Sequence, residues 1–278
     1  MGFAGEWFYI DLKSKMNKSS SLLLPREKYG EASQKWGKLP LMLEIENEKQ
    51  VLFYFGANHS KEPKNAQFPI LRQYWEKFLK KTKDEERIIL VEGGLRPLAK
   101  NEELAIVQNS EGGFITYISN ESNTMIASPD LNQNDILLRF PEINKDELLL
   151  YFFMSHVDSY HRISDPKPDF GDFFENWAKY QRTREVWLGL EISLEYLTEL
   201  YKSVMDKEFN QNESQNDYIN PNNSGTRINK LARKISDARD ENIINEIEKY
   251  WKEGKSIFVV FGSGHLIIQE PALRALLK

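Results

Sequence analysis

Three apolar runs in this chain end in residues suited to acid–base or metal chemistry. Val51-Leu52-Phe53-Tyr54-Phe55 runs into Gly56-Ala57-Asn58-His59, and Ile257-Phe258-Val259-Val260-Phe261 into Gly262-Ser263-Gly264-His265. Between them Ile88-Ile89-Leu90-Val91 delivers Glu92, followed by Gly93 and Gly94. With four histidines in the whole chain, two in the same local context point to a joined site. Two imidazoles and a carboxylate suit either of two chemistries. His59, Glu92 and His265 can hold a divalent metal with positions open for water, or they can act unaided as a base that activates water and an acid that protonates a leaving group. Either route wants a cation for the developing oxyanion. Arg239, in Ala238-Arg239-Asp240, is the candidate. Gly56, Glu111, Ser128, Asp130, Asp240 and Gly262 form a second rank, whose ordinary reading is loop chemistry or close backbone approach. His156 and His161 stand five apart, off a common helix face, and are read as structural.

Short apolar runs rich in β-branched and aromatic residues read as strands of a parallel sheet covered on both faces. Ligands of such sheets sit beyond the carboxyl ends of the strands, where all three motifs fall. The strand at 51–55, an amphipathic helix over Pro69–Lys81 and the strand Arg87–Val91 make a βαβ unit. Asn101 caps a short helix to Gln108, Glu111-Gly112-Gly113 opens another, and 124–127 is a short strand. The expected fold is α/β, a mainly parallel sheet flanked by helices in a single domain spanning 1–278. Residues 145–225 are expected to form a helical insertion, aromatic-rich at first and ending in a polar loop from Asp206 to Gly225. Helices then resume over Arg227–Glu253, with Asp237, Asp240 and Glu241 at the start of the last one, where the helix dipole favours acids. Gly254 ends that helix and Pro271 starts a closing one. Residues 14–40 read as a lead-in, a hairpin or loop over the site.

The absence of cysteine removes disulfides, thiolate metal sites and cysteine nucleophiles together. A net charge of −5 and a pI near 5.6 argue against a nucleic-acid partner. No basic, apolar leader and no run long enough to span a bilayer are visible, so the expectation is a cytoplasmic protein with no membrane partner, acting on a small molecule or a peptide. Gly254-Lys255-Ser256 resembles the end of a phosphate-binding loop but precedes a strand where that loop precedes a helix. Gly262-x-Gly264 lacks the third glycine of a dinucleotide site.

Two Gly-x-x-His motifs, a Glu between them and an Arg upstream of the second resemble the TraB/TIKI superfamily, which includes erythromycin-esterase-like proteins and ChaN-like haem-uptake proteins. The likeness is greatest from Arg239-Asp240 to His265 and least from Lys145 to Gly225. It implies an α/β core with His59, Glu92, Arg239 and His265 in one pocket. The implied activity is hydrolysis of a peptide or ester bond, with a divalent metal as the implied cofactor; the alternatives are non-catalytic haem binding and an interaction protein with a degenerate site. Where erythromycin esterases resemble Gly-Glu-x-x-His, Gly56 takes the place of the Glu three residues before His59.

Overall fold

The computed structural model describes residues 20–83, 86–122, 124–163 and 166–278. The chain divides into two compact units, one of residues 1–130 and 237–278 and the other of residues 131–236. The segment expected as a helical insertion, 145–225, lies inside the second.

In the first unit five strands form one sheet: β1 (Leu41–Glu46), β2 (Val51–Ala57), β3 (Arg87–Val91), β4 (Met125–Ala127) and β5 (Ser256–Gly262). Their order is β1-β2-β5-β3-β4. β1 is antiparallel to β2, and the remaining neighbours are parallel. The last strand of the chain is thus inserted between β2 and β3, which places the ends of the three motif-bearing strands side by side. Alternation along these strands fills two cores. Phe53, Phe55, Ile89, Val91, Phe258 and Val260 face one side, against α2 (Gln67–Lys81) and α3 (Glu102–Ser119). Leu52, Tyr54, Ile88, Leu90, Ile257 and Val259 face the other, against residues Ile243–Trp251 and the chain-terminal helix. A strand buried on both faces must be apolar at every position, which is why these runs do not alternate in sequence.

Three expectations change. Residues 20–36 are no hairpin: Arg26–Lys28 form a single 3-10 turn and α1 (Tyr29–Trp36) follows it, with Leu24 N–H donating to Ile268 O at 2.9 Å. The helical stretch before β5 is one helix, Arg227–Lys252, because the buried stripe Ile228, Leu231, Ile235, Ala238 continues at helical spacing into Ile243, Ile247 and Trp251. Asp237 and Asp240 are therefore mid-helix, where the dipole term is spent. The closing helix spans Ser263–Leu276 with Pro271 inside it, so His265 stands in a first helical turn rather than on a loop.

The second unit holds α4 (Gln133–Arg139), α5 (Lys145–His161), α6 (Phe170–Arg182), α7 (Leu194–Met205) and α8 (Asn216–Ile219), together with the opening of α9 (Arg227–Lys252); α10 is the Ser263–Leu276 helix of the first unit. Asn132, Asn144, Asp169 and Ser193 cap the first four through side-chain acceptors. Its core centres on Phe153, Met154, Phe174, Trp187 and Tyr201. His156 lies flat on Phe173, 4.0 Å between ring centres, a structural role. Among the described residues no helix is long and apolar enough to cross a membrane.

Phe258, fully buried on the central strand, meets the rings of Tyr74, Trp75 and Phe78 at 5.6, 5.1 and 5.3 Å. Phe258→Ala is expected to cost about 3–5 kcal/mol in urea unfolding. A loss below about 1 kcal/mol would contradict this packing.

Candidate active site

The site is built outward from Glu92, which follows β3, an inner strand of the sheet, with 21% of its side chain exposed. Its Oε2 accepts from Gly262 N–H at 2.7 Å and its Oε1 from Arg239 Nη2 at 2.9 Å. His59 Nε2 lies 3.5 Å from Oε2, and His265 Nε2 lies 3.5 Å from Oε1. One carboxylate therefore stands between two imidazoles. The two histidines reach it from unequal starting points. Register pairs Ala57 with Gly262 and Gly56 with Phe261, so the two Gly-x-x-His motifs are offset by one residue. Gly56 lies under Leu266 and Ser263 and packs the sheet against α10. Gly262 sits against His59: a Cβ there would come 2.5 Å from His59 Nε2 and 3.3 Å from Glu92 Oε2.

Each ring is oriented from behind by a second carboxylate. Glu111 Oε2 is 3.3 Å from His59 Nδ1, and Asp240 Oδ1 is 2.6 Å from His265 Nδ1. A carboxylate on Nδ1 holds a proton there and leaves Nε2 facing the site. Glu111 is in turn buried and held by Ser60 N–H at 2.7 Å and Gln67 Nε2 at 2.8 Å. A break in α3 aims it. Asn109 and Ser110 leave helical geometry, Ser110 at φ 55° and ψ −142°, a strained conformation for a residue with a side chain. The Ser110 hydroxyl lies 2.6 Å from Ser60 O and 2.7 Å from Glu111 Oε2, tying the break to the loop that carries His59.

Asp240 is fully buried and shared. Its Oδ1 also accepts from Gln269 Nε2 at 2.7 Å, and its Oδ2 takes Arg26 Nη2 at 2.5 Å. Arg26 Nε reaches Asp237 at 2.8 Å. Arg26 was not visible to sequence reasoning, because its partners lie more than 200 residues away; an arginine after Pro25 carries no local signal. Asp130 forms a two-point bridge with Arg239, at 2.6 and 2.7 Å, and accepts from Gly93 N–H at 3.0 Å. Ser128 Oγ accepts from Gly94 N–H at 3.0 Å. Gly93 and Gly94 both have positive φ, the reason that turn needs glycine; Ser128 and Asp130 hold it in place. The structure thus brings His59, Glu92, Arg239 and His265 together, with Glu111, Asp130 and Asp240 behind them.

Burial favours a neutral Glu92, but His265, His59 and Arg239 outweigh it and hold the carboxyl well below the ordinary range. Burial opposes charge on His265 too, yet Asp240 and Glu92 push its pKa up to about 9 despite Arg239. At neutral pH His265 is an imidazolium beside an ionised Glu92. Glu111 and Asp130 are likewise held low against burial, by His59 and by Arg239 respectively.

The donor set does not suit a resident divalent metal. Both oxygens of Glu92 already accept protein N–H groups, the two Nε2 atoms face different oxygens, and a metal would join Arg239 and a charged His265. No group of three or more His, Asp or Glu among the described residues is disposed to hold a metal ion.

The raised pKa of His265 has a consequence for stability. Its contribution is fully present below pH 6.5, falls between pH 6.5 and about 9, and is absent above. The fall should be about 3 kcal/mol by urea unfolding, and His265→Gln should remove most of that slope. An unchanged slope in the variant would contradict the assignment. For Gly262→Ala, where Cβ meets the His59 ring, the His59 side-chain resonances should shift while the fold persists; unshifted resonances would mean that the ring does not lie on Gly262.

Compared with models of protein families, with curated proteins and with solved structures, the chain finds no match in any of the three.

Proposed function

We propose that this chain hydrolyses a peptide or ester bond without a resident metal, using His59 as the proton-transferring group. The observation that carries the reading is the pair of carboxylate-backed imidazoles on one carboxylate, Glu111–His59–Glu92–His265–Asp240. Structural ion pairs do not need two histidines oriented in this way, and converging groups with displaced titration mark sites of chemistry.

The roles differ by exposure. The His59 side chain is 45% exposed and that of His265 11%. His59 is the ring a substrate can reach. With Nδ1–H held by Glu111, its Nε2 takes a proton from water as the water oxygen attacks the carbonyl carbon. The same proton then passes to the departing alcohol or amine as the tetrahedral intermediate collapses. Glu92, kept ionised, stabilises the imidazolium formed on His59 between these steps. His265, already charged, supplies positive potential for the oxyanion. Arg239, with its guanidinium engaged by Glu92 and Asp130, acts as a positioning residue that holds the carboxylate between the rings.

A panel of nitrophenyl esters and fluorogenic peptides provides the test. Hydrolysis of at least one member should fall about 10²–10⁴-fold in His59→Ala, while Glu111→Gln should retain the fold and lower kcat with KM little changed. Activity equal to wild type in His59→Ala would remove His59 from the mechanism. Absence of turnover across the panel, with no inhibition by boronate or phosphonate mimics of the tetrahedral intermediate, would reject the hydrolytic reading.

A further inference from the structure

Arg96 stands at the edge of this site and takes no part in the network described above. Its side chain runs between the Glu-Gly turn after β3 and the Glu-Gly step in α3: Cγ lies 3.9 Å from where a Cβ on Gly112 would be, and Nη2 lies 2.7 Å from where one on Gly93 would be. The residues just before those glycines are Glu111 and Glu92. Gly93 thus leaves room for this guanidinium, and any side chain there would displace it, while at Gly112 the arginine stem lies in ordinary contact. Yet Arg96 has no hydrogen-bond or ion-pair partner among the described residues, and its Nε is buried without one. A buried guanidinium nitrogen left without an acceptor is costly, and the four carboxylates of the site are each engaged by other partners: Glu92 and Asp130 by Arg239, Asp240 by Arg26 and His265, Glu111 by His59. On the same loop Leu95 and Leu98 are exposed by 64% and 55%.

We propose that Arg96 anchors an anionic group of the substrate, a carboxylate or a phosphate, with Leu95 and Leu98 against an apolar portion next to it. A planar guanidinium offers paired N–H donors that match both anions. The fit gives the proposed hydrolase a substrate class, acyl compounds that carry an acidic group near an apolar one. The word substrate rests on the hydrolytic reading; the anion site itself does not.

The test is therefore a binding measurement that needs no turnover. The Nε–H resonance of Arg96 in the ¹⁵N-labelled full chain is identified by its loss in Arg96→Lys, then followed during titration with N-acetyl-leucine, N-acetyl-leucinamide and inorganic phosphate. A saturable shift with N-acetyl-leucine and none with the amide supports a carboxylate anchor. A shift with phosphate alone supports the same site for a phosphate-bearing substrate. No saturable shift with either anion, or an equal shift with the amide, overturns the proposal. Isothermal titration of the tighter anion should show at least about tenfold weaker binding in Arg96→Lys and Arg96→Gln, because a point charge does not replace a planar fork; wild-type affinity in both would also overturn it. Hydrolysis can be found while this titration fails, and the reverse, so the two readings fail separately.

Discussion

A half-buried carboxylate at the end of an inner strand of a mainly parallel sheet is the constraint on which this structure turns. Glu92 leaves β3 where β2, β5 and β3 end side by side, and burial there disfavours its charge. The charge survives because one backbone N–H, one guanidinium and two imidazoles converge on it. Each of those partners needs an anchor of its own, and the anchors draw in distant parts of the chain: Asp130 after β4 for Arg239, Asp240 of α9 for His265, Glu111 of the broken α3 for His59. Removing any one partner would leave a charge uncompensated in a poorly solvated place, a costly outcome.

The two histidines look alike in sequence and are unlike in place. Gly262 ends β5, and α10 follows at once, so His265 is locked in a first helical turn over Asp240. Gly56 lies within β2, and His59 emerges two residues beyond the strand on a loop held by Glu111 and Ser110. A fixed charged ring beside an accessible one is an asymmetry useful for proton transfer, since one supplies potential while the other changes state.

Much of this was legible in the sequence. Continuous apolar runs require burial on both faces, which implied the parallel sheet, and strand ends followed by glycine located His59, Glu92 and His265. Arg239 and the second-rank Glu111, Asp130 and Asp240 were named without their partners, because pairing is a tertiary fact. Two kinds of signal misled. Acidic residues at 237–241 read as a helix start, although the apolar stripe runs through them. Pro271 read as a helix start, whereas α10 begins eight residues earlier and tolerates it. Arg26 and Arg96 left no trace, since a lone arginine is ordinary on a surface. What sets them apart is the buried acid facing one and, for the other, a buried Nε with no hydrogen-bond partner among the described residues.

The measurement that bears most directly on the charged cluster is a proton NMR titration of the His265 ring in the wild-type chain and in Asp240→Asn. Titration near pH 9 is expected in wild type, with a fall of at least about one unit in the variant, in which one of the two carboxylates raising it is gone. Titration near 6.5 in both would be the contrary result: His265 would be neutral at pH 7, and Glu92 would lose one of the positive partners that keep it ionised.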